Sequence, residues 1–226
     1  MKKLLLALFA LGATIGTASA QVEIGLKISP SITSLRAESP ANYGFASDGS
    51  KFSFGGGLVV DYFFGENYAF STGLLLNGKG GSITYKDASN TGSAINAKQD
   101  ISMQYLELPL SVKLFTNEIA PATRLYFQVG GSLNVPIGTR INSNKFYTDP
   151  ATGEENKASD YVYFFDADAL ASLGVEYQLG TNTKVFGGIR YNRGLVDIDR
   201  YFEKTRNFND VTIKNSGVAL DLGMKF

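Results

Sequence analysis

The segment YLELPLSVKL, residues 105–114, alternates polar and apolar side chains with a period of two. Its even positions all carry leucine or valine. Its odd positions carry Tyr105, Glu107, Pro109, Ser111 and Lys113. This period places the apolar side chains on one face of a β-strand and does not fit the 3.6-residue period of a helix. The segment therefore predicts a strand with one apolar and one polar face.

The same alternation recurs along the chain. The predicted strands are residues 22–33, 52–64, 68–79, 101–115, 124–137, 163–178, 184–194 and 214–226. The connections at 65–67, 116–123 and 180–183 are short, whereas those at 34–51, 80–100, 138–162 and 195–213 are long and polar. Short and long connections then fall at opposite ends of the sheet, with both termini at the short-turn end. The pattern predicts an all-β fold, an eight-stranded antiparallel up-and-down transmembrane β-barrel with short periplasmic turns and long extracellular loops.

The amino-acid composition excludes several kinds of catalytic and metal site. The 226-residue chain has no cysteine and no histidine, which excludes disulfides, thiolate catalysis, histidine-based zinc sites and imidazole-dependent triads. Its 21 basic and 21 acidic residues leave a formal net charge of zero, so no basic field is present to attract nucleic acid. We therefore expect no nucleic-acid partner.

The first twenty residues have the pattern of a secretory signal peptide. Lys2 and Lys3 precede an apolar stretch, residues 4–13, that is too short to span a bilayer, and Ala18-Ser19-Ala20 is a small-residue cleavage motif. An uncleaved membrane anchor is the alternative. The sequence thus predicts a cleaved signal peptide at 1–20, a barrel domain at 21–226 and export to the outer membrane.

Alternation alone does not separate a membrane barrel from a soluble, lipocalin-like one, because each has one apolar face. Small residues such as Gly25, Ser71 and Gly188 are frequent on the polar face, as a cramped eight-stranded lumen requires. Aromatic residues follow the apolar face near the short-turn end, and the chain stops at Phe226. An aromatic girdle of this kind favours the membrane barrel.

Three motifs resemble the PorT-like outer-membrane β-barrel family. They are YLELPL at 105–110, GIRYNRGL at 188–195 and TGLLLNGKG at 72–80. The resemblance covers the whole chain after residue 20 and implies a barrel in the outer membrane of a Gram-negative bacterium, with no catalytic residue carried over. The final strand, which ends at Phe226, resembles the signal by which the barrel assembly machinery recognises its substrates. Outer-membrane lipid, that machinery and a surface or periplasmic protein are the predicted partners.

The polar face carries equal numbers of opposite charges. The acids are Glu23, Asp61, Glu107, Asp166, Asp168, Glu176 and Asp221, and the bases are Lys27, Lys79, Lys113, Arg124, Lys184, Arg190 and Lys225. We place Lys27, Glu107, Arg190 and Asp221 near mid-depth, three of them on strands that become neighbours on closure. Charges confined in a narrow lumen must pair or stay hydrated, so a plug is favoured over a conduction path.

These features predict a structural or interaction role at the cell surface, with secretion or adhesion as candidate processes. The alternative is a narrow porin-like channel for small solutes or an apolar ligand. No enzymatic activity is expected, because barrel hydrolases and acyltransferases generally depend on histidine and the chain has none. No metal or other cofactor is expected, since neither Asp166-Ala167-Asp168 nor Asp197-Ile198-Asp199 is followed by the further spaced ligands of a calcium loop.

Overall fold

The structure, a computed structural model, describes residues 22–87, 95–149, 153–206 and 208–226. The predicted signal peptide at 1–20 lies outside the described residues. The strands are β1 (Val22–Glu38), β2 (Ala46–Gly65), β3 (Tyr68–Asp87), β4 (Ile95–Phe115), β5 (Thr123–Ile141), β6 (Phe146–Thr148), β7 (Glu155–Lys157), β8 (Asp166–Gln178), β9 (Lys184–Gly194) and β10 (Thr212–Lys225). The helices are a 3-10 turn, Ala158–Tyr161, and α1, Tyr201–Lys204. Among the described residues, no helix has the length and apolar character needed to cross a membrane.

Eight of the strands close into an antiparallel barrel in the order β1-β10-β9-β8-β5-β4-β3-β2, which confirms the predicted fold. The first strand pairs with the last, as in Gly25 opposite Lys225, so that no edge is left unpaired. β6 and β7 form a separate two-stranded hairpin between β5 and β8. The short turns and the ends of β1 and β10 lie together, and we call this the short-turn end.

The direction of the apolar face decides between the two kinds of barrel. Leucine and valine side chains along the strands point outward and are exposed, for example Leu58, Leu110 and Leu220. The charged side chains of the polar face point inward and are buried, for example Asp61 and Glu107. A water-soluble barrel would need the reverse arrangement, so this exterior matches a bilayer.

The aromatic girdle also lies where the sequence predicts it. Its exposed members near the short-turn end are Phe64, Tyr68, Phe70, Phe127, Tyr177 and Phe226. Amphipathic or bulky rings at this level are typical of the membrane–water interface.

Four strands extend well beyond their predicted ends at residues 33, 52, 79 and 101, so the predicted loops 34–51 and 80–100 are partly strand. In β3 the inward-facing residues change from polar Asn77 and Lys79 to apolar Ile83 and Tyr85, while polar Ser82 and Thr84 now face outward. The faces exchange polarity because this part of the barrel has water outside and an apolar filling inside. A strand prediction that requires the same face to stay apolar therefore stops too early.

Candidate functional site

The four charged residues predicted at mid-depth meet in the lumen. Asp221 on β10 accepts hydrogen bonds from Lys27 Nζ at 3.0 Å, from Arg190 Nε at 2.9 Å and from the Ser29 hydroxyl at 2.7 Å. Arg190 Nη1 also lies 3.4 Å from Glu107 Oε1, on the opposite wall. The side chains of Lys27, Glu107, Arg190 and Asp221 are each less than one tenth exposed. We call these four residues the central network.

Two further charges extend the central network across the barrel. Lys79 Nζ lies 3.5 Å from Glu107 Oε2 and also contacts the carboxylate of Asp168 on β8. The amide of Asn134 donates to the same Asp168 oxygen at 3.0 Å. Sequence reasoning placed Lys79 and Asp168 on the polar face but not beside Glu107, because the tilt and closure of the strands decide which depths coincide.

A second cluster lies at the short-turn end and was not singled out from the sequence. Lys225 Nζ lies 2.8 Å from Glu23 Oε2 and 2.9 Å from Asp61 Oδ2, and it also contacts the Glu176 carboxylate. One oxygen from each of the three carboxylates lies within 4.8 Å of the others. The ammonium group therefore occupies the position where a cation held by three carboxylates would sit. We call these four residues the Lys225 cage.

Other cations surround the Lys225 cage. Lys113 Nζ lies 2.8 Å from Asp61 Oδ2, and Arg124 Nη2 lies 3.1 Å from Glu176 Oε1. The Arg124 guanidinium is also 4.8 Å from the centre of the Phe115 ring, within cation–π range. Several cations for three acids give a compact, nearly neutral layer, which is the condition under which buried charges are tolerated.

The cavities found beside the central network, among the described residues, are small. A cavity of about 30 Å³ touches Lys79, Glu107 and Arg190, and another of about 20 Å³ lies between Lys27 and Tyr126. Each has room for about one water molecule. A wider mouth of about 480 Å³ opens at the short-turn end beside Arg124 and Lys184.

An apolar plug fills the barrel at the opposite, long-loop end. It consists of inward-facing strand residues and of loop residues that fold in over them. Its buried members include Leu35, Ile83, Tyr85, Ile101, Met103, Ile141, Tyr161, Ile198, Tyr201, Phe202, Val211 and Ile213. The Phe202 ring is fully buried, and its centre lies 4.8 Å from those of Phe45 and Tyr85. From the sequence, loop aromatics such as Phe45, Tyr201 and Phe202 fit either a binding surface or packing over the barrel mouth, and the structure shows the packing; the strand residues of the plug were not predicted.

Polar contacts fix the loop that carries α1. The Asp199 carboxylate accepts hydrogen bonds from the backbone N–H groups of Tyr201 and Phe202, at 3.2 and 3.1 Å. Burial, together with the nearby charge of Asp197, raises the pKa of Asp199 to about 7. Arg206 donates to the Asp87 carboxylate of β3 at 2.7 Å and thereby ties the loop to the rim.

The contacts of the lumen carboxylates favour a structural role for these groups over a catalytic one. Within the described part of the chain, each lumen carboxylate of the central network and of the Lys225 cage contacts a cation. The motif residue Asp168 is engaged by Lys79, and Asp166 accepts a hydrogen bond from Asn215 at 2.8 Å. The expected absence of catalysis and of a cofactor stays a prediction.

Comparison with known proteins gives one family match. The family model described as "Outer membrane protein beta-barrel domain" matches residues 16–200. A search of curated proteins found no match.

Solved structures also resemble the barrel. OprG from Pseudomonas aeruginosa is 13% identical, with 90% of this chain and 95% of that chain covered and a TM-score of 0.50. Neisserial surface protein A is 13% identical, with 92% and 98% covered and a TM-score of 0.48. The outer membrane protease OmpT from Escherichia coli is 13% identical, with 93% and 98% covered and a TM-score of 0.49. At this identity the likeness to OprG concerns the fold alone.

Proposed function

The chain belongs to the family of the outer membrane protein beta-barrel domain, and on that premise we propose that it has a structural or interaction role at the cell surface. Secretion and adhesion are the processes in which such a role would be used. The protein would act through its exterior and its long loops, since the interior is occupied.

The filled lumen is the observation that carries this proposal. The Lys225 cage, the central network and the apolar plug follow one another along the barrel from the short-turn end, and the internal cavities found among the described residues are about 30 Å³ or smaller. A hydrated ion or a small solute needs a continuous path, and spaces for single waters do not provide one.

The export of the protein, its bacterial class and its partners are also part of this proposal. The resemblance to the PorT-like family and the predicted signal peptide at 1–20 both favour a Gram-negative exported protein. Phe226 is 61% exposed on the outer face, and its backbone N–H donates to the Ile24 carbonyl at 2.9 Å. We propose that the barrel assembly machinery recognises this strand before β1 pairs with it, and that membrane lipid is the barrel's permanent neighbour.

We also propose that the protein is not an enzyme. Pairing of the lumen carboxylates with cations supports this, because a general acid or base needs a proton-exchanging group that faces a substrate. A lipid- and peptide-hydrolysis assay on the purified barrel tests it, and turnover that persists in several preparations would refute it.

Single-channel recording in planar bilayers tests the closed lumen. We expect no steady conductance from the wild-type barrel. Removal of Arg190, as Arg190→Ala, should open a leak if the central network acts as a plug. Steady, ion-selective conductance of the wild type would instead support the alternative, a narrow porin-like channel.

Site-specific photo-crosslinking tests the surface role. Phe164 is 80% exposed at the long-loop end, so a photoreactive residue there should give a discrete crosslinked product on whole cells. The matched position Phe202 is fully buried and should give none. Equal labelling from both positions would contradict a specific surface contact.

A further inference from the structure

A groove of about 750 Å³ crosses the outer wall of the barrel close to the long-loop end. One side is formed by β2 residues 51–54 and the other by the end of β5 and the β6–β7 hairpin. Gly78 of β3 and Gln104 of β4 lie between them. The groove therefore spans four neighbouring strands, or three strand spacings of about 4.8 Å.

Two irregularities in the sheet create the groove. The register of β2 on β3 shifts between Ser50 and Gly55, so residues 51–54 are not paired with β3. At the same level β3 runs so close to β1 that a Cβ on Gly81 would lie 2.8 Å from the backbone nitrogen of Leu35. Across the groove, the shift between Gln104 and Tyr105 leaves Ile137 of β5 as a bulge.

The groove is positively charged. Four of its lining residues are basic, Lys51, Arg140, Lys145 and Lys157, and among the lining residues in the described ranges none is acidic. None of the four forms an ion pair with a carboxylate within the described part of the chain. Of the fourteen charged residues assigned to the polar face, by contrast, thirteen form an ion pair, and the other, Asp166, accepts a hydrogen bond from Asn215.

The cations converge on a small area. Lys51 Nζ donates to the Ser102 hydroxyl, and Arg140 is the cross-strand neighbour of the same Ser102. Residues directly opposite in an antiparallel pair have Cβ atoms about 5 Å apart. In the hairpin, Lys157 is likewise opposite Phe146. Asp100, two residues before Ser102 on β4, attracts Lys51 but forms no ion pair with it among the described residues, so an anion that bridges the cations would stabilise them further.

Apolar side chains flank the charges on the membrane side. Phe52, Phe54 and Ile137 line the groove and are 72%, 58% and 57% exposed. They continue the outward apolar face that the strands present to acyl chains. An occupant with an anionic head and apolar tails fits both halves of this surface, whereas a soluble anion would use only one.

From this juxtaposition we infer that the groove binds a phosphate-bearing membrane lipid, with its headgroup phosphate against Lys51, Arg140 and Lys145 and its acyl chains along Phe52, Phe54 and Ile137. A headgroup with two phosphates should bind more tightly than one with a single phosphate, because more of the four cations are then neutralised. The inference depends on membership of an outer-membrane family, and it holds or fails independently of whether the lumen conducts.

Native mass spectrometry of the detergent-solubilised barrel tests the inference. The lipids titrated are diphosphoryl lipid A, phosphatidylglycerol and phosphatidylcholine, with inorganic phosphate as a competitor. We expect binding to weaken in that order of lipids. Arg140→Gln and Lys145→Gln should each weaken lipid A binding about fivefold, the effect of one surface cation on an anionic lipid.

Two controls define the outcome. Lys204→Gln removes an exposed lysine at the same end but outside the groove and should leave lipid A binding unchanged. Phe52→Ser should weaken binding of both anionic lipids without altering the folded barrel's circular dichroism. Equal binding of phosphatidylcholine, or an equal loss in Lys204→Gln, would overturn the proposal. Full competition by dilute inorganic phosphate, with no effect of Phe52→Ser, would show an anion site rather than a lipid site and would also overturn it.

Discussion

The lumen is closed at its two ends by opposite chemistry. At the short-turn end the Lys225 cage closes it with charges that all lie on strands, whereas at the long-loop end the plug closes it with apolar rings contributed partly by loops. The difference follows from what surrounds each level. Within the bilayer the outward positions must be apolar, so polar side chains are left for the interior and must pair there. Above the bilayer the exterior is wet, and the interior can be an ordinary apolar core.

The largest effect is expected from Lys225→Met. It removes the ammonium group and leaves Glu23, Asp61 and Glu176 close together without their shared cation, which should cost about 3–5 kcal/mol of the free energy of unfolding. Urea unfolding in detergent micelles measures this loss. Lys225→Arg keeps the charge and should lose much less.

Divalent cations sharpen this test. The three carboxylates suit Ca²⁺, so added Ca²⁺ should restore part of the stability of Lys225→Met and leave the wild type unchanged. A loss below about 1 kcal/mol in Lys225→Met would mean that water in the wide mouth already solvates the carboxylates, and that the cage is not a dry buried site.

The apolar plug should respond to a cavity. Phe202→Ala removes a fully buried ring and should cost about 3 kcal/mol, with no recovery on addition of Ca²⁺. Phe164→Ala, at an exposed ring, is the matched control and should be nearly neutral. Thermal unfolding measures both variants. Equal losses would indicate that the loops do not pack as a core.

The two closures also differ in how far the sequence predicts them. Period-two alternation gives the strands and the inward direction of Lys27, Glu107, Arg190 and Asp221, because each strand has only two faces. It does not give the Lys79–Asp168 contact or the Lys225 cage, which depend on the stagger between strands far apart in the chain.

The strand part of the plug was missed for a different reason. Its strand residues, such as Leu35 and Ile83, lie where the apolar side of the alternation changes from outside to inside. The loop aromatics of the plug, such as Tyr201 and Phe202, belong to a segment without periodicity, so the sequence left a binding surface and packing over the barrel mouth as two open interpretations. Pro109 shows the same dependence on context. A proline inside a paired strand removes a hydrogen-bond donor and predicts a local bulge, but the β3–β4 pairing omits Gly73 and Leu74 without any change of register, so this prediction is wrong.

The plug should loosen as pH rises. The folded-state pKa of Asp199 is raised to about 7 from an ordinary value of 3.8, so the folded plug binds this proton more tightly than the open one. Its stability is therefore greatest below about pH 4, falls as pH rises towards 7 and is constant above that. We expect the plug to lose about 2 kcal/mol of stability. This is less than the whole pKa difference of Asp199 would give, because Asp197 stays close when the plug opens and keeps part of the pKa shift. Asp199→Asn should remove this pH dependence in thermal unfolding, and an unchanged profile would contradict the assignment.

The central network should show coupling between its members. Arg190→Ala leaves Asp221 with Lys27 as its one remaining cation in the network, and Asp221→Ala leaves Arg190 with Glu107. The double variant should lose less stability than the sum of the single losses, with a coupling free energy of about 1–2 kcal/mol. Additive losses would show that the two side chains do not act as a pair.

The smallest effect is expected from an ion pair of the same geometry in water. Lys98 Nζ lies 2.9 Å from Asp48 Oδ2, the same separation as between Arg190 Nε and Asp221 Oδ2. The side chains of Lys98 and Asp48, however, are 53% and 45% exposed. Solvent screens this pair, and holding two side chains in place costs entropy, so the coupling between Lys98→Ala and Asp48→Ala should be much weaker than that between Arg190→Ala and Asp221→Ala and should vanish in high salt. The Arg190–Asp221 coupling should persist in the same salt, because bulk ions do not reach it. If the two couplings were equal and equally sensitive to salt, the lumen would have to be as wet as the rim. Burial would then no longer explain the strength of the central network, and the closed lumen would lose its main energetic support.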